Sequence, residues 1–212
     1  MINIQSIIKM LIVAVVTIAS ITFHEFSHGY ASYLLGDDTP KVYRRLTLNP
    51  LKHLDIVGAI CLALFHFGWA KPVPINPYNY KNKKLGVVIV SLAGPIANLI
   101  LAFIATFIWI VFIGQNYYLD FSMQTIIGLN LGLAVFNLIP IPPLDGSRIL
   151  SVFLSQRARN KYNSIEKYGV IVMFIILLIP VFGSLLTAII DLGVNGILKG
   201  YIFIITQIVG LF

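Results

Sequence analysis

Charged residues are scarce in this sequence: only 11% of its 212 residues are Asp, Glu, Lys or Arg, while 58% are hydrophobic. Soluble domains carry roughly 25% charged residues, so the balance excludes an ordinary soluble domain. The apolar residues also come in long runs, which is typical of helices that cross a bilayer. The sequence therefore predicts an integral membrane protein.

Cysteine and acidic residues are also few. Cys61 is the single cysteine, which excludes an internal disulfide and a cysteine-rich metal site, and we expect it to be a small buried residue. Eight acidic residues stand against fifteen Lys and Arg, for a net charge of +7. In a membrane protein such an excess marks cytoplasmic loops, so we expect a lipid bilayer and no nucleic acid as a partner.

The long apolar segments predict an all-α polytopic membrane protein with about four to six transmembrane helices. Four segments are long enough to span, and a fifth is shorter: Ile4–Leu35, Leu85–Ile113, Ser122–Ile139, Gly169–Ile190 and Ile197–Phe212. We expect a kink or a new helix start at Pro95. The chain is predicted to form one membrane-embedded domain over residues 1–212, with a core at about 4–155 and peripheral helices at about 165–212.

A short segment of different character lies between the first two spans. The apolar run Ile56–Phe67 is too short to cross, so we expect a re-entrant or interfacial element there. Three prolines within Gly68–Pro77 exclude a helix and favour an extended strand or hairpin.

The distribution of positive charge predicts the topology. Eight Lys and Arg lie between Lys41 and Lys84, five lie between Arg148 and Lys167, and the loop at 114–121 has none. The positive-inside rule then places both basic regions in the cytoplasm and the N-terminus outside. The end of the first span that carries His24 and His28 is therefore expected to face the cytoplasm.

The motif His24-Glu25-Phe26-Ser27-His28 lies inside the first apolar helix. Histidines four residues apart share one helix face, so both imidazoles can bind one metal ion. Zinc suits such ligands, and the intervening Glu25 is placed to act as a base on a metal-activated water. The alternative is a buried polar cluster that only joins helices, but such groups are costly in a bilayer unless they have a function.

A catalytic zinc site needs a third protein ligand, and Asp145 is the strongest candidate. It follows the proline-broken stretch 139–144 at the same expected depth as the two histidines. Irregular backbone inside a membrane is tolerated only where it faces protein or a water-filled cavity. The alternative role for Asp145 is a helix N-cap.

Several motifs together resemble the site-2 protease family of intramembrane zinc metalloproteases. They are His24-Glu25-Phe26-Ser27-His28, the Gly94-Pro95-Ile96-Ala97-Asn98 element, and the stretch from Asn137 to Gly146 with its Leu144-Asp145-Gly146 end. The resemblance covers roughly residues 20–155. It implies one Zn²⁺ per chain bound by His24, His28 and Asp145, a core of three membrane helices, and hydrolysis of a peptide bond in or near a transmembrane segment of a protein substrate. The sequence has no stretch that could form the PDZ or CBS domain of longer members.

Asn98 and Asn137 have amides that could hydrogen-bond an unwound substrate or its oxyanion, and the resemblance supports substrate contact. The alternative for both is hydrogen bonding between helices. His53 and His66 lack ligand spacing, so interface or core positions are expected.

A divalent-metal transporter or channel is the competing function, since membrane His and Asp residues also mark ion paths. A non-enzymatic membrane scaffold is a third interpretation. The compact cluster around Glu25, without a second relay site, favours the protease.

Overall fold

A computed structural model describes residues 3–58, 61 and 70–210 of the chain. Four of its helices are long and apolar enough to cross a membrane: α1 (Ile4–Leu34), α3 (Lys83–Phe112), α4 (Tyr117–Leu138) and α8 (Pro180–Val209). The shorter helices are α2 (Thr39–Val42), α5 (Asp145–Phe153), α6 (Gln156–Glu166) and α7 (Gly169–Leu178). The predicted all-α, multi-pass membrane architecture is thereby confirmed.

Asparagine side chains define where three of the four long helices begin. Asn3, Asn82 and Asn116 each accept a hydrogen bond from a backbone N–H of the first turn of α1, α3 and α4. Such N-caps satisfy donors that would otherwise have no partner at a helix start. The third predicted span therefore begins at Tyr117, five residues earlier than the apolar pattern alone indicates.

The bundle is organised around α3, which packs against α1, α4, α5 and α8. Small side chains allow this close approach: Ala102 and Ala105 of α3 lie in the main buried apolar cluster with Ile127 and Leu131 of α4. α3 also runs through Pro95 as one helix, so the predicted restart there does not occur.

The prediction for the C-terminal part was wrong in its boundaries. The expected span Gly169–Ile190 is broken at Ile179, and one helix then runs from Pro180 to Val209. The reason is steric, because proline disfavours helical backbone at the residue before it but is well suited to the first helical position. The glycines of α8 do not interrupt it.

The segment between the first two spans contains little regular structure among the described residues. A 3-10 turn covers Pro50–Lys52, another covers Pro77–Asn79, and one antiparallel bridge joins Leu54 to Ala70. The stretch 71–76 is not assigned to any strand, so of the predicted hairpin the described residues show only this bridge. Most of the predicted re-entrant element Ile56–Phe67, including His66, and the first two residues of the Gly68–Pro77 prediction lie outside the described residues.

Candidate metal centre

His24 and His28 lie one turn apart on α1 and are both buried. Their Nε2 atoms are 3.0 Å apart, and the two rings meet edge to face. This proximity follows from the four-residue spacing on a helix. Two imidazoles thus present nitrogen atoms to one point inside the helical bundle.

Asp145 supplies a third atom to the same point. It is the first residue of α5, and its Oδ2 lies 3.2 Å from the Nε2 atom of each histidine. Beyond these contacts, the buried Oδ2 has no hydrogen-bond partner among the described residues. The end of α4 at Leu138 and the turn at 139–144 bring α5 back to the level of the histidines.

The hydrogen bonds on the far side of each ring determine which nitrogen carries the proton. His24 Nδ1 lies 2.6 Å from Asn98 Oδ1, and His28 Nδ1 lies 2.6 Å from the carbonyl oxygen of Val90. Both oxygens can only accept, so each Nδ1 donates and each Nε2 presents a lone pair. Metal-binding histidines are typically oriented in this way by a partner on the other nitrogen.

Three acceptor atoms at 3.0–3.2 Å with no hydrogen between them repel one another unless a cation lies at their centre. In a tetrahedral zinc site with bonds of about 2.0–2.1 Å, ligand atoms lie about 3.3 Å apart. The donor set and its spacing therefore fit a zinc ion, with one coordination position left over. Among the described residues, His24, His28 and Asp145 form the cluster of metal-binding side chains that is close enough to hold one ion.

Behind His24, a buried polar network connects three helices. Asn98 of α3 donates from Nδ2 to Asn130 Oδ1 of α4 at 2.7 Å and, at 3.5 Å, to the carbonyl of Ser20 in α1. Asn130 in turn donates to Ser20 Oγ at 2.8 Å and to the carbonyl of Ile126. Both asparagines are completely buried. The network fixes the Asn98 amide so that its oxygen faces His24.

Two glycines allow the backbone to come this close. A Cβ atom on Gly94 of α3 would lie 2.7 Å from His24 Nε2 and would also collide with His28. A Cβ atom on Gly146 would collide with the backbone of Leu138. Side chains at these positions would push α3 or α5 away from the histidines, so both glycines serve close approach.

Glu25 is partly exposed beside the two ligands on α1. Its Oε2 accepts a hydrogen bond of 3.0 Å from the backbone N–H of Val73, in the extended stretch between the first two spans. Oε1 accepts no hydrogen bond in the described part of the chain. One carboxylate oxygen is therefore fixed, and the other remains available to water.

Of the six residues singled out from sequence, the structure brings His24, His28, Asp145 and Asn98 into direct contact and places Glu25 on the same helix turn. Asn98 contacts a ligand from behind, which favours an orienting role. Asn137 is partly exposed near the end of α4 and donates from Nδ2 to the carbonyl of Leu133. Substrate contact by either asparagine remains a prediction.

Asn130, Ser20 and the Val90 carbonyl were not identified from sequence. The one available signal was that Asn130 is an amide inside an apolar span, where such residues usually face protein. His53, in contrast, is buried and bonds through Nε2 to the carbonyl of Thr47, which agrees with a core position.

Comparisons with known proteins agree with this geometry. Residues 115–180 match the family model described as Peptidase family M50. Over 86% of its length the chain is 42% identical to “Putative zinc metalloprotease YwhC” of Bacillus subtilis, of which it covers 87%. Rip2 of Mycolicibacterium smegmatis, described in the same words, is 28% identical over 76% of the chain and 64% of its own length. No solved structure matches the chain significantly.

Proposed function

Because the chain belongs to peptidase family M50, we propose that this zinc metalloprotease hydrolyses a peptide bond in or near a transmembrane segment of another membrane protein. The observation that carries the proposal is the convergence of two imidazole lone pairs and a buried carboxylate oxygen beside Glu25, inside a bundle of membrane-spanning helices. A metal transporter would need a second site along its path, and the described residues contain one such cluster.

His24, His28 and Asp145 would bind the zinc ion. When bound there, zinc supplies a Lewis acid that makes water nucleophilic near neutral pH and polarises the substrate carbonyl. Asn98 and the Val90 carbonyl keep both rings oriented with Nε2 toward the centre, and Asn130 keeps the Asn98 amide from rotating.

We assign Glu25 the role of general base and acid. Oε1 accepts a proton from the water as its oxygen forms a bond with the peptide carbon, and the same proton then passes to the leaving amine as the C–N bond breaks. The Val73 N–H stabilises the charged carboxylate and restricts the side chain to one orientation. One water molecule is consumed, and its second proton also passes to the amine, so a carboxylate and an ammonium group are released.

Water must reach this centre from outside the bilayer. A cavity of about 280 Å³ opens between the segment around Ile75, α3 and α5, and Ser91 and Ser147 contribute to its wall. Ser91 follows Val90, and Ser147 lies two residues after Asp145, so the cavity adjoins the backbone that carries the centre. The basic loops lie on this side of the chain, which supports a cytoplasmic active site and an outside N-terminus.

The test compares wild type with Glu25→Gln, each purified and reconstituted into liposomes with candidate single-span membrane proteins. We expect wild type to cut a substrate and Glu25→Gln to lose activity by at least about a hundredfold, as expected for loss of an acid–base group. Zinc content should stay near one per chain in both. Asp38→Asn is the matched control, because Asp38 is an exposed carboxylate that makes no side-chain cap hydrogen bond.

Mass spectrometry of the products would locate the cut relative to the membrane. Full activity in Glu25→Gln would refute the assigned mechanism. Cleavage confined to soluble segments far from any span would refute the intramembrane substrate while leaving the metalloprotease assignment intact.

A further inference from the structure

A second cavity follows the end of α1. It has a volume of about 450 Å³ and is lined by Lys41, Arg44 and Lys52, with Tyr33, Thr47 and Asn49 beside them. All three cationic side chains are exposed, and no acidic residue contributes to the lining. We call this feature the basic pocket. Its composition indicates an anionic ligand.

The three cations lack carboxylate partners. The ion pairs found in the described part of the chain are those of Asp145 with the two histidines. Lys41 places its ammonium 5.3 Å from the centre of the Tyr33 ring. The side chains of Arg44 and Lys52 make no hydrogen bond to any described residue. Three positive charges gathered around one cavity repel one another, so an anion between them would be stabilised by all three.

The backbone of the loop contributes to this arrangement. Arg44 has a φ of +53°, a region that residues with a Cβ seldom adopt. Its neighbour Arg45 is buried instead and donates to the carbonyl of Lys71. The chain thus separates two adjacent arginines, one directed into the protein and one to the basic pocket.

The basic pocket lies where a membrane surface is expected. Tyr33 belongs to the last turn of α1, which is long and apolar enough to span the bilayer. Exposed apolar side chains flank the pocket along the chain, namely Leu34, Val42, Leu48 and Leu51. A site that combines cations, an aromatic ring and neighbouring apolar side chains at a span end suits an amphiphile with an anionic head.

We propose that the basic pocket binds a phosphate group, supplied by the headgroup of an anionic lipid. Arg44 provides a planar guanidinium for two phosphate oxygens, and Lys41 and Lys52 add point charges. The Thr47 hydroxyl and the Asn49 amide can bond the remaining oxygens. The exposed apolar side chains accept the start of the acyl chains. The same chemistry would recognise free phosphate, so the experiment must separate the two sources.

The experiment uses the full-length chain, purified in a neutral detergent and titrated with dihexanoyl phosphatidic acid, dihexanoyl phosphatidylcholine and inorganic phosphate. Native mass spectrometry would count bound molecules, and calorimetry would give each Kd. We expect one phosphatidic acid per chain and much weaker phosphatidylcholine binding. The triple variant K41Q/R44Q/K52Q should weaken phosphatidic acid binding by more than about tenfold, since each of the three cations attracts an anionic headgroup.

The control variant K81Q/K84Q/R157Q also removes two lysines and one arginine, but from exposed positions outside the basic pocket. It should bind phosphatidic acid with a Kd close to that of wild type. Zinc content and circular dichroism must be unchanged in both variants, which shows that each has folded. Equal weakening in both would show a diffuse charge effect and overturn the proposal, as would unchanged binding in the triple variant. Inorganic phosphate that binds as tightly as phosphatidic acid would overturn the lipid as the source.

Discussion

Replacing Asn98 by alanine should weaken zinc binding through His24 without touching a ligand. The substitution removes the oxygen that lies 2.6 Å from His24 Nδ1 and the amide that donates to Asn130. The buried Nδ1–H then has no partner, which costs about 1–3 kcal/mol. The ring can relieve this cost only by rotating or by moving its proton to Nε2, the nitrogen that zinc needs. We expect the affinity for zinc to fall by about 10- to 100-fold.

Asn130→Ala provides a graded comparison. Asn130 contacts no metal ligand, but its Oδ1 fixes the orientation of the Asn98 amide, and its Nδ2 bonds Ser20. Its loss leaves Asn98 able to rotate while the acceptor atom is still present. We therefore expect a weakening of zinc binding in the same direction and smaller than that of Asn98→Ala.

The assay is a competition titration of purified protein against a chromogenic zinc chelator, with thermal unfolding followed in parallel. Thr106→Ala is the control in the same helix, because the buried Thr106 hydroxyl bonds only the carbonyl of Ala102 on its own helix. It should lower stability with unchanged zinc affinity. The reasoning is refuted if Asn98→Ala destabilises the protein while zinc affinity stays at the wild-type value, or if Asn130→Ala has the larger effect on zinc.

Two further predictions follow. Gly94→Ala places a methyl group against both histidines, so we expect loss of stoichiometric zinc, measured by metal analysis, with helical content by circular dichroism retained. Burial by itself raises the pKa of Asp37, but hydrogen bonds from Asn76, Thr39, Ser32 and Asn79 outweigh it and lower the pKa from 3.8 to about 2. The charged carboxylate therefore stabilises the fold above pH 3.8, and this contribution is lost as the pH falls through about 2. Asp37→Asn should lower the unfolding midpoint at neutral pH, and its gap to wild type should close over that window; a constant gap would contradict the assignment.

The metal ligands could be proposed from sequence because their arrangement is mostly local. The spacing of His24 and His28 fixes their shared face on a helix. Asp145 could be matched to them because the prolines at 140–143 end a span at a depth set by bilayer thickness. These arguments need only helix geometry and membrane depth, and the structure places the three side chains in contact.

Predicting the hydrogen-bond network behind His24 would have required information that one sequence does not contain. Asn98 and Asn130 meet only because α3 and α4 pack in a particular register, with Ser20 of α1 facing both. Several registers would bury equally apolar faces, and hydropathy does not choose among them. The predicted boundaries of the C-terminal spans were wrong for a different reason. Ile179 and Pro180 form a local break inside a continuous apolar run, and hydropathy averaged over a window does not detect such a break.

The stretch 71–76 shows how the prolines serve the site. Pro72 and Pro74 have no N–H, so this stretch keeps four backbone donors, and three of them have a partner among the described residues. Lys71 donates to the carbonyl of His53, Val73 to Glu25 and Asn76 to Asp37. Arg45 donates in return to the carbonyls of Lys71 and Pro72.

Those partners explain why this stretch stays extended beside the metal centre without a second strand. Two of the three acceptors are carboxylates, so the segment is held mainly by charge-assisted bonds to α1 and to the loop that follows it. A substrate strand that accepted from Val73 or Asn76 would first have to displace Glu25 or Asp37. Because the proposed hydrolysis keeps Glu25 bonded to Val73, we expect a substrate strand to leave these two bonds in place.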